Sequence, residues 1–220
     1  MLTSRHEGGR PVPLLVWRLN GGVLGISSSP LGGGIGERRW VLNATVPMSY
    51  ARDDPDTHLA DIARGLGLDG SGAGLMTGVD VAEVVRAADG GAVVWATVGV
   101  GAPIRAAAAG DLPAARVGTI NTVAYVPARL SDAALVNAVA TATEAKVQAL
   151  TDLGLDATGT ATDAICVLCP AQGPAEPYGG PRSAWGARLA RAVHRAVRAG
   201  GAADLASGVP WSEKAKAPLA

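Results

Sequence analysis

The stretch VGTINTVAYVPARLSDAALVNAVATATEAKVQALTDLGLDATGTATDAICVLC, Val117 to Cys169, decides the fold class. Its first ten residues are rich in β-branched side chains and read as a buried strand. Ser131 or Asp132 then caps a long helix that ends near Leu153, with Gly154 in the position that favours a left-handed backbone. Residues 163–169, DAICVLC, return as a strand stopped by Pro170. The helix has an aliphatic face (Leu135, Val136, Val139, Val147, Leu150, Leu153) and a face of alanines (Ala138, Ala142, Ala145, Ala149). Between them runs an under-charged polar stripe. Asn137, Thr141, Glu144 and Gln148 fall within about 60° of arc at ~100° per residue.

Upstream, LLVWRL (14–19) and VLGISS (23–28) flank Asn20-Gly21-Gly22, a spacing that predicts two strands joined by a tight turn. A Gly-rich loop leads into the strand WVLNATV (40–46). THLADIARGLGL (57–68) has helical spacing of Leu59, Ile62, Ala63 and Leu66, with Thr57 as the expected cap. GLMTGVD reads as a strand, VAEVVRAADGG as either helix or strand, and AVVWATVGV (92–100) as a buried strand. A turn-rich loop containing Pro103, Gly110 and Pro113 follows. A last helix over about 183–199 is expected to close at Gly200-Gly201. Strands come first and then alternate with helices, so the expected class is α+β, a mixed sheet layered with a few helices. One domain spans 13–200, and residues 1–12 and 202–220 are expected as flexible termini.

With 19 basic and 19 acidic residues among 220, no global field favours nucleic acid or an anionic membrane. Sixteen of the basic residues are Arg and three are Lys (Lys146, Lys214, Lys216). No window reaches the roughly 18 apolar residues of a membrane span, and the N-terminus lacks a signal-peptide pattern. A soluble cytoplasmic protein is expected, and two cysteines without a disulfide framework agree with a reducing compartment.

Several familiar motifs fail on inspection. Cys166-Val-Leu-Cys169 matches C-x-x-C, yet it sits in a strand, where the two side chains point to opposite faces, and no second ligand pair exists for zinc. The run Gly32-Gly33-Gly34-Ile35-Gly36 satisfies neither the dinucleotide nor the Walker pattern and reads as a surface loop. His58 is a minor acid–base candidate, His6 and His194 are expected in solvent, and the Arg-rich last helix reads as amphipathic with a solvated face.

Small polar groups recur in strands that otherwise look buried. Thr119, Asn121 and Thr122 stand in one, Asn43 and Thr45 in another, and Thr77 and Asp80 end a third. The segment Thr158-Gly159-Thr160-Ala161-Thr162-Asp163 opens a fourth. Such groups need partners, either in an internal network or in a convergent ligand site.

Taken together, GTIN, LSDAALVNA…TATEAK and TGTATDAI, with WVLNATVP, GLMTGVD and VGVGAPIRAAAAGD upstream, resemble the adenosylcobinamide amidohydrolase family of corrinoid salvage enzymes over about residues 20–200. Two positions depart from the family pattern: Gly101 where Asn is expected, and Ala161 where a second Gly is expected. The resemblance implies hydrolysis of the amide between the corrin propionyl arm and 1-amino-2-propanol, giving adenosylcobyric acid. The partner would be a small corrinoid, neither nucleic acid nor membrane. The cobalt is part of that substrate, so no protein-bound metal or cofactor is implied.

Amide hydrolysis needs activated water or a nucleophile, an oxyanion stabiliser and a proton for the amine. Glu144 is the expected general base, because partial burial would raise its pKa, and Asp163 is the second carboxylate. Asn121 and Asn43 are expected to donate to an oxyanion. Thr119, Thr160 and Thr162 are placed at the substrate amides, with Thr77, Asp80, Arg105, Asn137 and Thr141 as further substrate contacts. Two alternatives stay open: a corrinoid binder without catalysis, and an unrelated amidase whose Thr nucleophile is exposed by cleavage near Gly118-Thr119.

Overall fold

One strand organises the molecule by bending. In the computed structural model, which describes residues 1–7, 9–47, 49–109 and 118–207, β2 runs from Arg10 to Ser27 as a single 18-residue strand. It pairs antiparallel with β1 (Leu2–Glu7), with β3 (Gly34–Thr45) and with β8 (Ala164–Pro170). Arg18 faces Trp40 and Val23 faces Arg38, so Leu19 to Gly22 form a bulge, not the hairpin turn expected there. Asn-Gly-Gly supplies the residue with positive φ, Gly21 at +86°, that both features require. Pairing of both halves of β2 with the same partner β3 selects the bulge.

The full order is β4-β3-β2-β8-β7-β6-β5, with β4 (Gly72–Thr77), β5 (Val85–Asp89), β6 (Ala92–Gly99) and β7 (Thr119–Tyr125). The β3–β4 and β7–β8 pairs are parallel and the others antiparallel, which makes the sheet mixed and the class α+β. At the bulge the sheet folds on itself, bringing β3 and β4 across β6, β7 and β8. Trp17 meets Trp95 edge-to-face at 5.7 Å, and Val41, Ala73, Leu75, Val123, Cys166 and Leu168 fill the space between the two halves.

Helices cover both outer faces. α1 (Pro55–Gly65) lays Leu59, Ile62 and Ala63 on Trp40 and Leu42. Its start is set by Asp54 and Pro55, ahead of the expected cap Thr57, because proline at the first helical position costs no hydrogen bond. α2 (Asp132–Asp152) and α3 (Ala184–Ser207) pack on Val94, Ala96, Val98, Ile120 and Val167. In α2, the Ser131 hydroxyl accepts from Ala134 N at 3.1 Å and Gly154 ends the helix at φ +76°. The alanine face is its buried side, whereas Val136, expected in the aliphatic face, is 57% exposed.

Two terminal expectations need correction. Residues 1–12 carry β1 and the start of β2, and the Arg5 guanidinium ties β1 down by donating to Thr45 O at 2.9 Å. α3 does not end at Gly200-Gly201 but runs through both. A Cβ at Gly200 would lie 2.8 Å from Val98 Cγ2, and one at Gly201 2.6 Å from Leu153 Cδ1. These glycines permit close packing and do not mark a helix end. The ambiguous segment after Asp80 resolves into a short 3₁₀ turn (Val81–Glu83) and β5. The expected features at Gly110, Pro113, Val117 and 208–220 lie outside the described residues. No helix among the described residues is long and apolar enough to cross a membrane.

Candidate active site

The folded sheet buries a polar network between its halves. β3 projects Asn43 and Thr45 inward, β4 Thr77, β6 Thr97, and β7 Thr119 and Asn121, every one of them at most 2% exposed. Asn43 Nδ2 donates to Thr97 Oγ1 at 3.1 Å. Asn121 Nδ2 donates to Asn43 Oδ1 at 2.9 Å and to Met76 O at 2.7 Å. Thr45 Oγ1 donates to Val79 O, and Thr77 Oγ1 accepts from Val79 N, both at 3.0 Å. This arrangement changes the role expected of Asn121. Both of its amide hydrogens are committed to protein acceptors, so its unused capacity is its acceptor oxygen, Oδ1, which is buried without a partner among the described residues.

At the N-terminal ends of β7 and β8 the network reaches a charged pair. Lys146, on α2, meets Asp163 with Nζ to Oδ2 at 2.5 Å, and each side chain is 15% exposed. Asp163 also accepts from Ile120 N at 2.9 Å, Thr160 N at 3.2 Å and Thr160 Oγ1 at 2.5 Å. Four donors on one carboxylate use its whole acceptor capacity. Beside it, Thr119 and Thr162 share a hydroxyl–hydroxyl bond of 2.8 Å, and Thr162 donates to Gly118 O at 3.2 Å. Gly159 is required by contact: a Cβ there would lie 2.3 Å from Asp163 Oδ2 and 2.5 Å from Lys146 Nζ.

A cleft of about 580 Å³ opens at the C-terminal end of α2, with Arg105, Val147, Leu155, Ala157 and Thr158 in its wall; Lys146 and Asp163 are not among its lining residues. Val147 and Thr158 are the chain neighbours of Lys146 and Gly159. The 104–106 segment forms the rim, because Ile104 N donates to Gly159 O and Ala106 N to Thr158 Oγ1, each at 2.8 Å. Arg105 is on this rim, its Nε donating to Asp156 Oδ1 at 2.9 Å.

The outer stripe of α2 is not part of this cluster. Glu144 is exposed and has no hydrogen-bond partner among the described residues, so the burial on which its expected role rested is absent. It lies two residues from Lys146, a turn of about 200° that directs it away from Asp163. Asn137 and Gln148 are exposed too. Thr141 is buried, but its hydroxyl donates to Gly179 O at 2.9 Å and holds the 170–183 loop. Asp80 caps the 3₁₀ turn by accepting from Ala82 N at 2.9 Å.

Lys146, Gly159 and Thr97 were therefore not legible as site residues. The available signal was compositional: Lys146 is one of three lysines against sixteen arginines, which makes a lysine on a small-residue helix conspicuous.

The motifs set aside serve structure. Arg38, 7% exposed, donates to Gly32 O at 2.7 Å and to Gly34 O at 3.0 Å, clamping the Gly-rich loop from inside. Cys166 faces the space between the sheet halves and Cys169 the helices, both free and fully buried. Burial pushes the Cys166 thiol up to about 12. Histidine 194 contacts Asp152, with Nε2 to Oδ2 at 2.7 Å.

His58 is buried at the start of α1, its Nδ1 3.1 Å from the Tyr50 hydroxyl. Burial lowers its pKa below the usual 6.5, with Glu7, Arg52, Arg5 and Asp54 as the neighbouring charges. The unfolded chain therefore binds this proton more readily than the folded one. Stability from neutral His58 is complete above about pH 6.5 and is lost as the pH falls through the lowered value. Thermal melts of wild type and His58→Gln between pH 7.5 and 5.5 should show a steeper acid-side loss in the wild type.

A sequence model of the family described as adenosylcobinamide amidohydrolase matches residues 2–208. A Methanosarcina mazei protein named adenosylcobinamide amidohydrolase is 32% identical over 182 residues, covering 79% of this chain and 88% of that protein. The chain belongs to the adenosylcobinamide amidohydrolase family, and it is an amide-hydrolysing enzyme.

Proposed function

We propose that this enzyme hydrolyses the amide joining the propionyl arm of the corrin ring to 1-amino-2-propanol in adenosylcobinamide. The products are adenosylcobyric acid and the free aminoalcohol, and the acid re-enters cobamide synthesis. Family membership supports the substrate class. The observation that carries the reading to this chain's own residues is the Lys146–Asp163 pair, held by Thr160 and Ile120 N, with each side chain 15% exposed; a cleft of about 580 Å³ is lined by Val147 and Thr158, chain neighbours of Lys146 and Gly159.

A cleft of that size takes a side arm and part of a macrocycle rim, not a whole corrinoid. The ring would therefore remain largely outside while one peripheral amide enters. The Arg105–Asp156 rim offers polar contacts to neighbouring amides. Cobalt enters with the substrate, and the proposal needs no protein-bound cofactor. Two free cysteines fit action in the cytoplasm.

Incubation with adenosylcobinamide, followed by mass analysis, tests this reading. Release of 1-amino-2-propanol with matching adenosylcobyric acid is expected. A corrinoid bound by its visible spectrum, yet recovered intact after long incubation, would support a non-catalytic binder instead.

A further inference from the structure

We propose that Lys146 is a catalytic residue that donates the proton to the departing amine nitrogen, with Asp163 as the group that positions it. The proposal rests on the amide-hydrolysis reading above and assigns the part of it that family membership leaves open.

Asp163 accepts four hydrogen bonds and has no acceptor capacity left for water or substrate. The Thr160 hydroxyl is spent on Asp163, and the Thr119 and Thr162 hydroxyls are bonded to each other and to Gly118 O. Asn121 has both amide hydrogens engaged. Lys146 differs: an ammonium carries three N–H donors, and among the described residues only Asp163 accepts one. Two N–H groups remain on a side chain that is 15% exposed, enough for its ammonium end to be reached from outside.

Two further features preserve that geometry. Gly159 keeps clear the space where a Cβ would sit 2.5 Å from Nζ. The three other donors on Asp163 fix the carboxylate before the lysine reaches it. The charged groups on the cleft wall, Arg105 and Asp156, pair with each other and do not compete for Lys146.

Water adds to the amide carbonyl carbon, forming a C–O bond while the π pair moves to oxygen and the water proton leaves to solvent. The tetrahedral intermediate then re-forms its carbonyl and breaks the C–N bond. The bonding pair goes to nitrogen, which takes a proton from the Lys146 ammonium. Solvent reprotonates the lysine, and the products are a carboxylate and an aminoalcohol that is itself protonated in water.

The test compares wild type, Lys146→Met and Lys146→Cys, the last before and after alkylation with 2-bromoethylamine to rebuild an ammonium at that position. Native Cys166 and Cys169 are fully buried, so the reagent should leave the wild type active. With adenosylcobinamide as substrate, Lys146→Met and unmodified Lys146→Cys should lose about 10²–10⁴-fold in kcat with little change in KM. Alkylated Lys146→Cys should regain turnover. Wild-type kcat in a folded Lys146→Met variant would overturn the assignment. So would alkylation that restores the melting temperature without turnover, since that outcome marks a purely structural lysine. Should Lys146→Met fail to fold, the comparison of alkylated with unmodified Lys146→Cys decides. If the wild type itself releases no aminoalcohol, the functional reading falls and this assignment with it. Turnover by wild type and Lys146→Met alike removes the lysine alone.

Discussion

Asp163→Ala is expected to cost about 3 kcal/mol of stability and to abolish turnover. The change removes the acceptor of four hydrogen bonds and leaves Lys146 as a largely buried, uncompensated cation. Breaking one side of a buried pair costs about 3–5 kcal/mol, and the residual exposure of this pair favours the lower end. In a chain of this size that corresponds to a fall in melting temperature of about 10 °C. The double variant Lys146→Met/Asp163→Leu separates stability from chemistry. Replacing both charges with apolar groups should return much of the lost stability, because no isolated ion remains, while activity stays absent. Calorimetry paired with the aminoalcohol assay checks both halves. An Asp163→Ala protein that melts like the wild type would show that the pair carries no such strain.

Gly159→Ala is expected to do the reverse, sparing most of the stability while costing about a hundredfold or more in kcat. The added methyl would meet Asp163 Oδ2 at 2.3 Å and Lys146 Nζ at 2.5 Å. The tighter clash is with Asp163, so the carboxylate and the lysine must give way together and the pair leaves its position. A displacement of about 1 Å at a reacting group costs on the order of 10² in rate, whereas overpacking at a partly open site costs about 1 kcal/mol of folding energy. Steady-state rates on adenosylcobinamide beside thermal melts give the split. Full activity in Gly159→Ala would mean that the lysine's position is immaterial.

Much of the fold was legible because local signals agreed with tertiary needs. β6, β7, α2 and β8 combine β-branched runs, a serine cap and a glycine stop, and each lies within two residues of its expected bounds. Misreadings arose where one residue type serves two ends. Asn20-Gly21-Gly22 suits a hairpin turn and a bulge equally, and only pairing with β3 distinguishes them. Gly200-Gly201 suits a helix stop and a close helix–sheet contact equally, and only Val98 and Leu153 distinguish them.

The site was half legible for a similar reason. Small polar groups in apolar strands signal a need for partners, and Asn43 bonds to Asn121, Thr119 to Thr162 and Thr160 to Asp163. On α2, the polar stripe drew attention to Glu144, yet polarity on a helix marks the solvent side as readily as a cleft. Lys146 sits among alanines, and its long apolar stem reaches a carboxylate seventeen residues further along the chain. That contact depends on the parallel β7–α2–β8 arrangement, which no local pattern states.

The most direct test is the rate of 1-amino-2-propanol release from adenosylcobinamide by wild type, Glu144→Gln and Lys146→Met, measured side by side. With Lys146 as the proton donor, release by wild type and Glu144→Gln should be comparable, and Lys146→Met should lose about a hundredfold or more. An inactive, folded Glu144→Gln beside an active Lys146→Met would contradict that assignment and move the chemistry to the opposite face of α2.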